Sequence, residues 1–406
     1  MVLFKRGLQS ILQKNASDVV IVSALRTPVT RAKKGGFKDA YPEELVSHIL
    51  KATLEHTKID PAKVNDVCMG QVLSELGGAK AGRMALLHAG YPVTTTYNTV
   101  NRQCSSGLQA ITNTAAAIQT GMIEVGIGGG VESMTRNYGS KAIPVDLSPD
   151  MKESWSQDAL DCIMPMGLTS ENVASRYSIS REDQDAFAAR SHQKAAHARS
   201  SGLFDSEIVP TPTRQIAEDG TITQTTIAAD DGIRPTATAE SLAKLKPAFS
   251  PTGASTAGNS SQVSDGAAAA LLMRRSTAEV LGLQPIAKFV ATAVAGVKPD
   301  EMGIGPALAI PRLMEMTGVE VGEVGIWELN EAFASQALYC MRVLNLPEEK
   351  VNPKGGAIAL GHPLGATGAR QLATLLPELE RQGEKVGVVS MCIGTGSGLA
   401  TMFVRE

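Results

Sequence analysis

A lone cysteine, Cys104, stands in the stretch 101–110, where a turn-like segment passes into a helix. The spacing of the apolar residues that follow predicts one buried helical face, made by Leu108, Ile111, Ala115, Ile118 and Met122. This pattern places Cys104 in the first helical turn. There the helix dipole and free backbone N–H groups favour the thiolate, which is the nucleophilic form of cysteine. A buried structural cysteine is the alternative, and position alone leaves both open.

Asn330 follows an apparent strand that ends in polar residues before another helix. The carboxyl ends of strands are where open α/β sheets bind ligands, so Asn330 is a candidate site residue. The alternative is that Asn330 only caps the helix.

Two further candidates lie near the end of the chain, each beside glycines. His362 is held between Gly361 and Gly365 just before a helix, a constrained position that favours proton transfer or hydrogen bonding over packing. Cys392 ends the last buried strand and is followed by glycines at 394, 396 and 398, whose backbone N–H groups could bind an oxyanion. Two thiols, a histidine and an asparagine at the edges of elements predict acyl transfer to sulfur.

The composition limits which classes of protein and which kinds of site the chain can have. The 406 residues are 43% hydrophobic and 19% charged, which is typical of a globular protein with two to three domains. A net charge of -3 gives no support for nucleic-acid binding. The five cysteines are widely spaced without a C-x-x-C pair, so neither a disulfide framework nor a metal site is predicted. His192 and His197 are predicted to be solvated helix positions.

The pattern along the chain indicates an α/β protein with an inserted domain. Residues 1–17 are set apart, and the first strand begins at Val19. Residues 136–250 are richer in Pro, Ser, Thr and charge, with predicted helices at 170–177 and 181–200. The predicted division is therefore a first half of 18–135 plus 251–285, an insertion of 136–250, and a second half of 286–406.

The two halves carry a repeated pattern. Gly107 and Gly368 are separated by 261 positions, and so are Gly126 and Gly387. The buried helical faces match on the same offset, and a buried strand follows each helix. Helix and strand used twice at one spacing predict two halves of similar fold related by a pseudo-twofold axis.

The N-terminus has the composition of an organelle-targeting segment. Residues 1–17 carry basic residues and no acid, with apolar residues that could form one helical face. A frayed surface tail is the alternative. No apolar run is long enough to predict a transmembrane helix.

Taken together, these motifs make the chain resemble the thiolase family over residues 18–406, and within it the peroxisomal 3-ketoacyl-CoA thiolases. Five motifs occur in the family's order: Asn-Arg-Gln-Cys-Ser-Ser-Gly at 101–107, Gly-Val-Glu-Ser-Met at 130–134, Asn-Glu-Ala-Phe-Ala at 330–334, Gly-His-Pro-Leu-Gly at 361–365 and Cys-Ile-Gly-Thr-Gly at 392–396. The resemblance implies a five-layer αβαβα sandwich of two similar halves with an inserted loop domain.

The resemblance also implies a role for each motif residue. Cys104 would take the acyl group, His362 would be the base that keeps its sulfur ionised, and Cys392 would be the acid/base for the acetyl-CoA enolate. Asn330 would hold a water that, with His362, stabilises the thioester oxygen. The backbone N–H groups of Cys104 and Gly394 would form a second oxyanion hole.

Substrate contacts follow in the same way. Met302 matches a residue that lines the acyl site, and the loop domain would hold CoA through Arg234, Ser241 and Ser261. Without the resemblance these three would be a surface arginine and turn serines. Biosynthetic acetoacetyl-CoA thiolases carry a histidine before Met-Gly, where this chain has Pro165 before Met166, which favours a degradative enzyme that accepts longer chains.

The expected activity is thiolytic cleavage of 3-ketoacyl-CoA, with CoA as co-substrate and no permanently bound cofactor. A short-chain acetoacetyl-CoA thiolase and a non-catalytic acyl-CoA or lipid carrier are the alternatives. The family resemblance implies a homodimer. Arg6 and Gln13 keep the spacing of a degenerate peroxisomal signal for an import receptor, with a mitochondrial presequence as the alternative.

Overall fold

The computed structural model describes residues 7–139 and 142–406. Within these ranges the strands are β1 (Val19–Arg26), β2 (Thr30–Arg31), β3 (Asp66–Gly70), β4 (Thr96–Val100), β5 (Val125–Ser133), β6 (Thr211–Ile216), β7 (Ile222–Ile227), β8 (Ser264–Arg274), β9 (Ala287–Gly296), β10 (Ile326–Leu329), β11 (Val386–Ile393) and β12 (Ser397–Arg405). The α-helices are α1 (Gly7–Leu12), α2 (Pro42–Thr57), α3 (Ala79–His88), α4 (Ser106–Gln119), α5 (Met134–Asn137), α6 (Pro149–Lys152), α7 (Gln157–Asp161), α8 (Met166–Arg176), α9 (Arg181–Ser200), α10 (Ala239–Ala243), α11 (Arg275–Leu281), α12 (Gly305–Thr317), α13 (Ala334–Leu344), α14 (Ala357–Leu360) and α15 (Thr367–Gln382). None of the helices in this part of the chain is both long and apolar enough to cross a bilayer.

The sheets of the two halves have matching strand orders. The first half runs β1-β8-β5-β3-β4 and the second half runs β9-β12-β11-β10. Strands β3 and β5 are parallel in the first half, and β10 and β11 are parallel in the second. The corresponding pairs β1–β8 and β9–β12, and β8–β5 and β12–β11, are antiparallel. In the described part of the chain the two halves join into one 10-stranded sheet where β1 pairs with β9 at Val20 and Ile21. The predicted twofold repeat is therefore present in the topology.

Three hydrophobic cores separate five layers. The first core lies between α2, α3 and one face of the first sheet. The central core contains the apolar faces of α4 and α15 and reaches both sheets. The third core joins the second sheet to α12 and α13. Since each sheet is covered on both faces, the order is helix, sheet, helix, sheet, helix, which is the expected αβαβα sandwich.

The starts of the two central helices pack against each other through glycines. A Cβ placed on Gly107 would come within 2.7 Å of the Gly365 carbonyl oxygen, and one on Gly368 would come within 2.5 Å of the Leu108 nitrogen. These are the two glycines related by the repeat in the sequence. Their missing side chains let α4 and α15 approach closely, so the segments that carry Cys104 and His362 meet at the pseudo-twofold axis.

The inserted segment contains α6 to α10 and the β6–β7 hairpin, and its helices α8 and α9 pack against α13 and α14 of the second half. The predicted helix at 181–200 is correct, with Ser180 as its N-cap. The helix predicted at 170–177 begins earlier, at Met166. His192 is buried, so its predicted solvated position is wrong, because α9 packs that face against the rest of the fold.

The helix after Cys104 begins two residues later than the sequence predicts. Ser105 is its N-cap and Ser106 its first residue, so Cys104 precedes the helix rather than lying in its first turn. The cause is a tight turn in which Gln103 has a φ of +47° and the Ser106 side chain donates to the Gln103 carbonyl. The helix also ends before Met122, which is exposed.

Residues 7–17 pack against the fold, so the expectation of a flexible tail is not met for this part of the segment. Helix α1 buries Ile11 against α12, with only 2% of Ile11 exposed. Residues 1–6, including Arg6 of the proposed signal, lie outside the described residues. The segment packs against the fold because the apolar face that the sequence predicts for targeting also covers the apolar surface of α12.

Polar contacts fix the stretch that follows α1. Lys288 donates to the Gln13 carbonyl at 2.5 Å, and Arg275 donates to the Asn15 carbonyl at 3.2 Å. Lys14 pairs with Glu406, which also pairs with Arg275. The arm formed by residues 7–17 is therefore held by groups from both halves of the chain.

Shortening Ile11 should weaken this docking. We expect Ile11→Ala to lower the free energy of unfolding by about 2 kcal/mol, because it leaves a cavity under α1. Chemical denaturation followed by fluorescence measures the change. Gln9→Ala, at an exposed position of the same helix, is the control and should change the stability by less than about 0.5 kcal/mol. Equal stabilities of the two variants would show that the docked arm contributes nothing.

Candidate active site

Cys104 sits where the ends of both halves converge. The turn before it is closed by backbone N–H groups of Ser105 and Ser106, which donate to the Arg102 and Gln103 carbonyls. Gly394, from the turn after β11, lies against Gln103 on the other side. The nucleophile predicted from the first half is thus enclosed by a turn from the second half.

Two backbone N–H groups act on the Cys104 sulfur. They belong to Gly394 and to Cys104 itself, and both lower the pKa of the thiol. They are the two groups that the sequence assigned to an oxyanion hole. An acyl carbonyl carried on this sulfur would place its oxygen beside the same donors, which is the arrangement needed to stabilise a tetrahedral intermediate.

The hydrogen bonds of His362 define its protonation. Its Nδ1 lies 2.6 Å from the Thr367 hydroxyl, which itself donates to the Pro363 carbonyl at 2.9 Å. Since that hydroxyl proton is committed, we assign the Nδ1 proton to the bond with Thr367. Nε2 then carries a lone pair and faces the Asn330 side-chain nitrogen at 3.4 Å. His362 can therefore act as a base through Nε2.

Asn330 is fully buried between β10 and α13. Its backbone N–H donates to the Ser390 carbonyl at 2.9 Å, and α13 is capped by Phe333, so Asn330 does not cap the helix. Among the described residues, its side-chain oxygen has no hydrogen-bond partner. Buried polar atoms are normally paired, so this amide is available to a water or a substrate group.

Cys392 lies at the end of β11 within a small apolar cluster. The cluster contains Met302, Ala332 and Phe333, with Met166 of the inserted segment packed against it. Burial raises the pKa of Cys392 well above its usual value, and the charge of Cys104 acts in the same direction. The two methionines predicted to line the substrate site therefore surround the second thiol.

Burial dominates the protonation of the central pair. It raises the pKa of Cys104 to about 11, against the two N–H donors, and it lowers the pKa of His362 to about 3, with the Arg370 charge contributing. At neutral pH the resting pair is therefore a thiol and a neutral imidazole. The thiolate expected from the sequence stays a prediction, and these pKa shifts oppose it because Cys104 lies outside the helix and is buried.

The three residues assigned to CoA lie on the inserted side. Arg234 is exposed, and its backbone N–H donates to Nδ1 of the buried His192 at 3.2 Å. The Ser241 hydroxyl closes the capping box of α10 with Thr238. The backbone N–H of Ser261 donates to the Ala332 carbonyl, which brings this residue close to the apolar cluster. Of the three, Ser261 is the one tied directly to the site.

Two buried residues beside the catalytic turns were given no role from the sequence. Thr367 orients His362, and the signal for it was a hydroxyl at the start of the helix that follows the histidine. Glu132, inside the motif at 130–134, accepts backbone N–H groups of Val72, Leu73 and Gly365. A carboxylate in an apolar strand was its only signal.

Two family models together match nearly the whole chain. The thiolase N-terminal domain matches residues 19–276, and the thiolase C-terminal domain matches residues 283–405. They correspond to the two halves that the fold repeats.

Individual relatives agree over the full length. The peroxisomal 3-ketoacyl-CoA thiolase of Yarrowia lipolytica is 52% identical over 402 residues, which is 99% of this chain and 96% of the relative. The human peroxisomal 3-ketoacyl-CoA thiolase is 53% identical over 392 residues, covering 96% and 92%. The crystal structure of the dimeric peroxisomal thiolase of Saccharomyces cerevisiae superposes with a TM-score of 0.90 at 46% identity, covering 98% of this chain and 100% of that one.

The raised pKa of Cys104 predicts how its reactivity depends on pH. A thiol with a pKa of about 11 is mostly protonated at pH 7, so alkylation by iodoacetamide should accelerate by about tenfold per pH unit between about pH 7 and 10. Peptide mapping by mass spectrometry measures the label on Cys104, and Cys104→Ser gives the background from the other thiols. A rate that is already constant by about pH 8 would contradict a resting thiol.

Proposed function

The chain belongs to the thiolase family, and from this membership and the geometry of the site we propose that it is a degradative 3-ketoacyl-CoA thiolase. It cleaves a 3-ketoacyl-CoA with free CoA to acetyl-CoA and an acyl-CoA shortened by two carbons, the last step of fatty acid β-oxidation. The observation that carries the proposal is the position of Gly394 against the Cys104 turn, where the N–H groups of Cys104 and Gly394 lower the pKa of the Cys104 thiol.

In the first step the Cys104 sulfur attacks the C3 carbonyl of the substrate. His362 Nε2 takes the thiol proton as the bond forms, because sulfur must lose that proton to become a nucleophile. Negative charge then develops on the C3 oxygen, where the N–H groups of Cys104 and Gly394 stabilise it. The neutral resting pair suits this step, since the proton moves only when substrate is present.

In the second step the C2–C3 bond breaks and leaves the acyl group on Cys104. The electron pair of that bond passes to C2 and the thioester, giving the acetyl-CoA enolate. The protonated Nε2 of His362 donates to the thioester oxygen, together with a water held by Asn330. Cys392, kept protonated by its raised pKa, delivers a proton to C2 and releases acetyl-CoA.

In the third step free CoA removes the acyl group. The CoA thiol gives its proton to the Cys392 thiolate and its sulfur attacks the acyl carbon, which regenerates the Cys104 thiol as His362 returns its proton. This order defines a ping-pong mechanism with an acyl-cysteine intermediate. Two oxyanion sites are needed because charge develops first on the C3 oxygen and then on the thioester oxygen.

The apolar cluster supports a substrate longer than acetoacetyl-CoA. Met166, Met302 and Phe333 offer flexible or flat apolar surface beside Cys392. CoA is proposed to approach from the inserted segment, where Arg234, Lys244 and Lys246 are exposed and could pair with its phosphates. In this arrangement Ser261 lies between the phosphates and the reacting carbons, while the Ser241 hydroxyl remains engaged in its capping box.

The cellular location follows the named relatives. Those from Yarrowia lipolytica and Homo sapiens are named peroxisomal, and we assign this chain to the peroxisome. An import receptor that reads the N-terminal segment is part of the proposal, and a mitochondrial presequence is its alternative.

The structural relative from Saccharomyces cerevisiae is dimeric, and we propose a homodimer here. Strand β4 forms the outer edge of the first sheet and presents unpaired backbone groups. Beside it, Leu76, Met84 and Val93 are 86%, 72% and 76% exposed. A second copy would cover this apolar edge.

A charge placed on this edge should separate the subunits. Met84→Asp is expected to halve the molar mass measured by light scattering, since burying the carboxylate opposes association. Val280→Asp, at an equally exposed position on α11, is the control and should leave the mass unchanged. A dimeric Met84→Asp would place the interface elsewhere.

The activity is tested by intact-protein mass after mixing with 3-ketooctanoyl-CoA in the absence of free CoA. Wild type should gain a hexanoyl group and release acetyl-CoA, and Cys104→Ala should gain nothing, because the acyl group has no sulfur to bind.

Other outcomes point to the alternatives. An acetyl adduct from acetoacetyl-CoA with none from the longer substrate would indicate the short-chain enzyme. No adduct from either substrate, with CoA binding intact, would contradict the enzyme and indicate a carrier.

A further inference from the structure

A buried carboxylate links the two turns that carry the reacting groups. Glu132 lies near the end of β5, is fully buried, and forms no ion pair among the described residues. Its Oε2 accepts the Gly365 N–H at 3.0 Å and the Val72 N–H at 3.1 Å, while Oε1 accepts the Leu73 N–H at 3.2 Å. Three backbone donors from two distant segments therefore converge on one side chain.

The first of these segments carries His362. Gly365 lies three residues after the histidine, and its turn sits directly on the ends of β3 and β5. A Cβ on Gly365 would come within 2.4 Å of the Val131 carbonyl oxygen and 2.6 Å of the Gly70 carbonyl oxygen. The hydrogen bond from the Gly365 N–H to Glu132 thus fixes the His362 turn at the point where the turn backbone already contacts the first half.

The second segment supports Cys104. Val72 and Leu73 continue from β3, and at its last residue a Cβ on Gly70 would come within 2.3 Å of the Ser106 carbonyl carbon. Ser106 is the first residue of α4, two positions after Cys104. By holding the 72–73 backbone, Glu132 also holds the surface on which the Cys104 turn rests.

We propose that Glu132 is a positioning residue for the acyl transfer, fixing the His362 turn relative to the Cys104 turn. This inference rests on the proposed function. Only an ionised carboxylate can accept all three N–H groups, since a glutamine would direct its NH₂ at one of them. Burial raises the pKa of Glu132 to about 7, and the three backbone donors oppose that rise, so they favour the charged form.

A second carboxylate in the same sheet provides a matched control. Asp265 lies on β8 and pairs with Ser133 of β5, next to the pair formed by Glu132 and Gly266. It is also fully buried, but it accepts the backbone N–H and hydroxyl of Thr135, outside the two catalytic turns. Its replacement removes a buried charge that raises the pKa of Glu132, and it leaves the three backbone N–H bonds of Glu132 in place.

The test compares Glu132→Gln, Glu132→Asp and Asp265→Asn with wild type in steady-state cleavage of 3-ketooctanoyl-CoA. Glutamine keeps the volume and loses the charge, whereas aspartate keeps the charge and loses the reach to both segments. Both Glu132 variants should lower kcat by about 10- to 100-fold, because a displacement of about 1 Å between reacting groups has that effect. The KM for CoA should stay within about twofold, since its site is not altered.

Thermal unfolding and the rate of acyl-enzyme formation complete the test. Asp265→Asn should lower the melting temperature but keep kcat. A folded Glu132→Gln variant with the wild-type kcat would overturn the positioning role of Glu132. So would a Glu132→Asp variant that keeps the wild-type kcat when Glu132→Gln does not. Should Glu132→Asp fail to fold, Glu132→Gln decides. A wild type that forms no acyl-enzyme would instead contradict the proposed function, so the two failures are distinguishable.

Discussion

The close approach of two helix starts is the constraint on which the rest of the molecule depends. Gly107 and Gly368 leave so little room that a methyl group on either would meet backbone atoms of the opposite segment. Each helix begins beside a catalytic turn, so this contact brings the cysteine of one half to the histidine of the other. The strands of the two halves and their outer helices form the layers that pack on either side of these two helices.

Enclosing the reacting groups in this way has a chemical effect. Burial disfavours charge, so Cys104 and Cys392 are protonated and His362 is neutral in the resting chain. Backbone dipoles oppose this effect, since N–H groups of Cys104 and Gly394 lower the pKa of the Cys104 thiol, and in the proposed mechanism these groups stabilise the charge that develops on the C3 oxygen. The site therefore stabilises charge only in the presence of substrate, and the reactive sulfur is protected when no substrate is bound.

Much of this arrangement was predictable because it depends on local pattern. The apolar spacing after Cys104 gave the buried face of α4, and the repeat of 261 positions gave the two matching halves. The same spacing could not show that Gln103 adopts a positive φ and delays the helix, because that turn is closed by contacts with Ser106 and the opposite half. His192 was misplaced for a related reason, since its burial depends on how α9 packs and not on its neighbours in sequence. Thr367 lies beside a recognised motif, and its bond to His362 is local but depends on how that turn folds. Glu132 lies within a motif, yet its bonds reach Val72, Leu73 and Gly365 far away in the chain, and only the fold reveals them.

The docked arm has a consequence for the order of events during synthesis. The arm is synthesised before Arg275, Lys288 and Glu406, the residues that hold it. The surface of α12 that covers Ile11 is also absent until more than three hundred residues have been added. Until then the arm has no surface to pack on, and in the proposed import this is the interval in which a receptor would bind the segment.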